Sequence, residues 1–224
     1  MPRHAHYVPH GVIPAVLLPF NDDLAIDEKS FRSHLRDVAA TKGLSAITIN
    51  AHSTEVASCS FDEQRRVLDV AQDEIGDRLP IVNGVWADGS IEAARIARMA
   101  ADGGASALLV FPPAPFTLGQ SPEMALAHFK RIADASDLPI IAFQYPLATG
   151  QGYPRDTLLK MVEQVPSTSE ENSQALWVVS TFTGRGRFCR MRMCISCCGT
   201  LPAQSLMARM LGTCSTIFSR VSRG

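Results

Sequence analysis

The sequence predicts an α/β protein in which parallel strands are covered by helices, with a (β/α)8 barrel (TIM barrel) as the favoured architecture. Three observations lead there. Five strand–helix units of about 30 residues follow one another between residues 11 and 166. Their strands are short and apolar throughout, the mark of strands buried on both faces. No Gly-x-Gly-x-x-Gly follows the first strand, where a doubly wound dinucleotide fold would place one. A doubly wound sheet otherwise fits the same alternation, so periodicity alone favours the barrel only slightly. A full barrel takes about 250 residues, so five units correspond to its leading part.

The units read in order as follows. Val12 to Leu18 is an apolar run closed by Pro19, a buried-strand pattern. Asp27 caps a helix with Phe31, Leu35, Val38 and Ala39 on one face, ended by Gly43. Ser45 to Asn50 is the second strand; Ser60 and Glu63 then form a capping box for a helix carrying Val67, Leu68, Ala71 and Ile75. Pro80 to Asn83 is the third strand, followed by a helix from Ser90 to Ala101. Ala107 to Val110 is the fourth strand. Ser121 before Pro122 then opens a helix with Leu126, Phe129 and Ile132 inward. Pro139 to Phe143 and a helix from Pro154 to Gln164 complete the fifth unit.

The 224 residues carry 21 Lys and Arg against 22 Asp and Glu, a net charge of −1, which gives no support to a nucleic-acid or anionic-membrane surface. The longest apolar runs fall well short of the roughly 20 residues that span a bilayer. The start, Met1 to His6, has no apolar stretch of the secretory kind, so a cytoplasmic protein is expected. The average conceals a seam. Residues 1–166 hold 14 Lys and Arg against 20 Asp and Glu, whereas residues 167–224 hold seven Arg, no Lys and two acids. Five of the six cysteines (Cys189, Cys194, Cys197, Cys198 and Cys214) fall beyond it.

Several strings in the body resemble the dihydrodipicolinate synthase / N-acetylneuraminate lyase family of pyruvate-dependent class I aldolases. They are Gly11 to Phe20, Ala51-His52-Ser53-Thr54-Glu55, Val82-Asn83-Gly84-Val85, Gly103 to Pro113, and Phe143 to Gly150. The spacing stays in register from about residue 11 to Ser167. The resemblance implies a (β/α)8 lyase, a homo-oligomer with no added cofactor or metal, that binds pyruvate or another 2-oxo acid as a Schiff base on a lysine. Such a lysine must be neutral to attack a carbonyl, which requires burial or a cationic neighbour.

The family places that lysine on the sixth strand, and here the corresponding stretch reads Thr168 to Ser173 without one. The chain's four lysines, Lys29, Lys42, Lys130 and Lys160, all fall in segments read as helical, on polar faces. Schiff-base chemistry by this chain is therefore not expected. The family's carboxylate-binding hydroxyl pair aligns with His52 and Ser53, read as substrate-binding. The family's proton-relay tyrosine aligns with Phe143, and Tyr145, two residues on, is the catalytic candidate in its place. Ala148 stands where some members carry an arginine for a second carboxylate. Glu55 is expected to accept backbone N–H groups at its turn. Asn83 and Trp86 are candidates for the pocket mouth.

The expected organisation is a partial barrel over residues 1–167, truncated after about five units. Residues 168–224 form a Cys/Arg/Ser-rich tail of non-family sequence, either disordered or translated in a shifted frame or through an unspliced intron. Apart from Ala175 to Val179 the tail has no apolar stretch of strand type, and its Cys194-Ile195-Ser196-Cys197 lacks the second pair and the histidine that a zinc site would use. Two functions follow: an aldolase-type protein handling a small 2-oxo acid but silent in this copy, or a non-catalytic module that binds a small carboxylate or another protein.

Overall fold

The computed structural model describes residues 3, 4, 6–165, 177–180 and 190–192. The Thr168 to Ser173 stretch and the five tail cysteines lie outside the described residues, as does most of the segment 168–224. The elements run α1 (Glu28–Ala39), β1 (Ile47–Ile49), α2 (Phe61–Ile75), β2 (Ile81–Val85), α3 (Ser90–Asp102), β3 (Ala107–Val110), α4 (Pro122–Ala133), β4 (Ile140–Gln144), α5 (Arg155–Gln164), β5 (Trp177–Ser180) and β6 (Arg190–Arg192).

The sheet order is β1-β2-β3-β4-β5-β6. The first five strands pair in parallel and β6 returns antiparallel to β5. The order rises without reversal, which separates this fold from a doubly wound sheet, whose order turns back at a switch point. The core agrees. One cluster joins Ile47, Ile49, Ile81, Val85, Leu108, Val110 and Ala142 to residues of all five α-helices. The other face gathers Ala46, Val82, Ala107, Leu109, Phe111 and Ile141 with Tyr7 and no residue of those helices. Helices on one side and side-chain layers on the other are the arrangement of a barrel wall.

The helix starts are those the caps prescribe. Asp27 accepts the Ser30 N–H at 3.0 Å. Ser60 N–H donates to Glu63 at 2.7 Å while Ser60 Oγ accepts the Glu63 N–H at 3.3 Å. Ser121 accepts from Met124 N–H at 3.3 Å ahead of Pro122.

Two expectations need correction. Val12 to Leu18 is not a regular strand. It lies beside β1 through isolated parallel bridges, Val12 to Leu44 and Ala15 to Thr48. Thr48 N–H donates to the Pro14 carbonyl at 2.8 Å and Val16 N–H to the Thr48 carbonyl at 3.2 Å. Pro14 has no N–H of its own, so the ladder cannot run on through it. Lys42 sits in the turn after α1 rather than in the helix. No helix among the described residues is long and apolar enough to cross a membrane.

Candidate functional site

The C-terminal ends of parallel strands are where such a sheet gathers reactive side chains, because the loops there converge. β1 ends at Ile49, and Asn50 turns the chain with a φ of +50°. Its buried amide donates to the Gln64 carbonyl at 2.9 Å and to Asn83 Oδ1 at 2.8 Å, tying the turn to α2 and β2. Gly84 is required there: a Cβ would overlap the Asn50 carbonyl oxygen.

A single 3-10 turn, His52–Thr54, follows. Thr54 is fully buried. Its hydroxyl accepts the Ala51 N–H at 2.6 Å and donates to the Ala51 carbonyl at 2.9 Å. The Thr54 side chain thus braces the turn that carries His52 and Ser53. Glu55 departs from expectation. It is exposed, with φ +52°, and the N–H groups of its turn are taken by main-chain carbonyls and by Thr54 rather than by its carboxylate.

Ninety-three residues away in sequence, Tyr145 leaves the end of β4 and hydrogen-bonds His52 Nε2. A phenol is a better acid than a neutral imidazole, so the bond is drawn from Tyr145 O–H to bare Nε2. The Tyr145 loop is held by Gln144, whose amide donates to the Tyr153 carbonyl at 3.1 Å and accepts the Tyr153 N–H at 3.0 Å. Gln120 braces the same loop through the carbonyls of Gly150 and Gly152.

Aromatic rings complete the wall. His52 lies 4.3 Å from Phe111 between ring centroids, Phe111 4.7 Å from Phe143, and Phe143 5.0 Å from Tyr145. This crowding shields both polar members from part of their water. It pushes the His52 pKa below, and the Tyr145 pKa above, their ordinary values, so both are neutral at neutral pH. Ser53 Oγ, on the next residue, is buried and makes no hydrogen bond among the described residues.

Of the sequence-predicted residues, His52 and Tyr145 are thus brought into contact, and Ser53 follows His52 in the same turn. Asn83 is not part of the pocket mouth: fully buried, it shares the helix-facing side of β2 with Ile81 and Val85 and bonds Asn50 instead. Trp86 is partly buried against the inner cluster. Phe111, Thr54 and Asn50 were not legible as site residues. Only for Phe111 was there a signal, its place two residues beyond Leu109 on the inner face of β3.

A sheet wound in strand order, helices on one face and polar groups at the C-terminal strand ends define a protein of the (β/α)-barrel class. The chain belongs to the Dihydrodipicolinate synthetase family, whose sequence profile matches residues 8–168. It is 34% identical over 156 residues to the 4-hydroxy-tetrahydrodipicolinate synthase of Salinibacter ruber, covering 70% of this chain and 51% of that one. It is 36% identical over 153 residues to the enzyme of the same name from Sphingopyxis alaskensis, covering 68% and 51%. Among solved structures, CdNal from Clostridium difficile, in complex with mannosamine, superposes with a TM-score of 0.66 at 22% identity, covering 79% of this chain and 57% of that one. This chain spans about half the length of the curated relatives it matches.

Proposed function

We propose that this chain binds a small 2-oxo acid such as pyruvate, without covalent attachment, at the β1 and β4 strand ends, and forms no Schiff base. In this reading Ser53 Oγ donates to the ligand carboxylate, and the Tyr145–His52 pair supplies a second polar contact able to pass a proton. The observations that carry it are the bonded Tyr145–His52 pair and the buried, unsatisfied hydroxyl of Ser53, the residue that follows His52 in the same turn. A buried hydroxyl with no partner is unfavourable by about 1–3 kcal/mol, and a bound carboxylate would satisfy it.

Two observations support the absence of imine chemistry. All four lysines are exposed, three on α1, α4 and α5 and one in the turn before β1. The strand beside β4 reads Trp177-Val178-Val179-Ser180, with no amine. The family match ends at residue 168, next to the seam in composition, and β6 pairs antiparallel where a β/α unit would add a parallel strand. Both support reading residues 168–224 as sequence that does not complete the barrel. Sequencing the transcript across codons 160–180 tests that part, and an uninterrupted message in several isolates would refute it. The family resemblance further supports a homo-oligomer in the cytoplasm.

The binding reading is tested by calorimetric titration with pyruvate. Saturable binding reversed by dialysis is expected, weakened at least about tenfold, or 1.4 kcal/mol, in Ser53→Ala. No heat at any concentration, or binding untouched by Ser53→Ala, would refute it.

A further inference from the structure

Two neighbouring grooves on the helical layer treat their arginines differently. Between α1 and α2, arginines meet carboxylates of the facing helix. Arg32 pairs with Asp73 at 2.5 Å and Glu74 at 3.1 Å, Arg36 with Glu74 at 2.6 Å, and Arg66 with Glu28 at 2.6 Å. Between α2 and α3 lies a cleft of about 330 Å³, lined by Phe61, Arg65 and Asp69 from α2 and by Arg95, Arg98 and Asp102 from α3. Arg65 and Arg98 form no hydrogen bond and no ion pair among the described residues. Their i+4 neighbours, Asp69 and Asp102, stand C-terminal to them, the weaker order for an ion pair along a helix. Asp69 also acts on Arg66, which is already bound to Glu28.

Arg95 is held in place. Its guanidinium lies 3.5 Å from the centroid of the Phe61 ring, and Nη1 donates to both carboxylate oxygens of Glu92, at 3.1 and 3.3 Å. Its Nε and Nη2 make no hydrogen bond among the described residues, so a positioned guanidinium keeps donors to offer.

From three guanidinium groups around one cleft we infer a site between α2 and α3 for a phosphate group, either inorganic phosphate or that of a small phosphomonoester. The site lies on the helical layer and is independent of 2-oxo-acid binding at the strand ends. A carboxylate has two oxygens in one plane, which a single guanidinium fork satisfies. A phosphate group carries a charge of about −2 and at least three acceptor oxygens in a tetrahedral arrangement, so forks from both walls can engage it. The volume is at the lower end of small-molecule sites, which limits the remainder to a short one. Asp69 and Asp102 lie about 6 Å further along their helices than Arg65 and Arg98, at 1.5 Å per residue. There they repel a second phosphate and offer acceptors to hydroxyl groups of the remainder.

Calorimetric titration of the full chain with inorganic phosphate and, separately, with glycerol 3-phosphate tests it, at low salt in a buffer without other phosphate. One saturable site is expected, weakened at least about tenfold in Arg65→Gln/Arg98→Gln and left within about twofold in Arg36→Gln, whose arginine faces the other groove. Arg65 and Arg98 are exposed, so the double variant should keep the melting temperature of the parent chain. Arg95→Lys, which keeps the charge but loses the fork, should weaken binding at least about threefold. Asp102→Asn should tighten it, and salt at about 0.15 M should loosen it. Equal affinity for the two ligands would support a site that reads the phosphate group alone, and tighter binding of the ester one that also reads its hydroxyls. No heat with either ligand, or binding untouched in Arg65→Gln/Arg98→Gln and in Arg95→Lys, would overturn the inference.

Discussion

The hydroxyl of Tyr145 hydrogen-bonds Nε2 of His52, joining the loop after β4 to the turn after β1. Each residue sits at the end of an apolar strand, and the strands between them set the distance that the bond closes. The pair is held from behind on both sides, by the hydrogen bond that Asn50 donates to Asn83 under the His52 turn and by Gln144 beside Tyr145. Both partners are neutral at neutral pH, since burial lowers the His52 pKa and raises that of Tyr145.

Because partial burial lowers the His52 pKa, its ring gains a proton only below the ordinary histidine value of 6.5. An imidazolium next to Ser53 attracts a carboxylate, so pyruvate affinity should rise as pH drops through the His52 titration. Calorimetry across the acid range checks this, and His52→Gln should flatten the profile. Tyr145→Ala, which lets water reach the ring, should move the His52 titration upward in NMR spectra.

A second histidine governs acid stability. His128 is 2% exposed in α4, with Nδ1 at 3.0 Å from Ser90 Oγ, and burial lowers its pKa to about 4. The unfolded chain takes up this proton near pH 6.5 and the folded chain only near pH 4. Stability is therefore constant above that window and declines through it, by about 3 kcal/mol in all. Denaturant titrations at several pH values should show the decline, and His128→Asn should remove most of it.

The brace under the His52 turn is expected to be intolerant. Gly84→Ala drives a methyl into the Asn50 carbonyl and should lower stability by about 3 kcal/mol. Asn83→Ala leaves one Asn50 amide hydrogen without its acceptor and should cost about 1–3 kcal/mol. Both should weaken pyruvate binding by releasing the turn, whereas Thr117→Ala, at an exposed hydroxyl bonded only to the Ala114 carbonyl, should leave stability within about 0.5 kcal/mol.

Much of the fold was readable because local chemistry declares it. The Ser60–Glu63 box, the Ser121-Pro122 start and the apolar runs at β3 and β4 act within a few residues of themselves. His52, Ser53 and Tyr145 were also recoverable, since resemblance and strand ends single them out one by one. Their contact was not, because it spans 93 residues and depends on how far the sheet curves. Asn83 was misplaced for a related reason. In a strand buried on both faces no polar alternation marks which way a side chain points, so its turn toward the helices is set by pairing with β1. Val12 to Leu18 reads as a strand by composition, yet Pro14 within it reduces the pairing to bridges.

The proposal that this chain forms no Schiff base is tested most directly by borohydride reduction of the full chain with excess pyruvate, followed by intact-mass and peptide mass spectrometry. The expected spectrum shows the unmodified chain. A reduced pyruvyl adduct on Lys29, Lys42, Lys130 or Lys160 would contradict it.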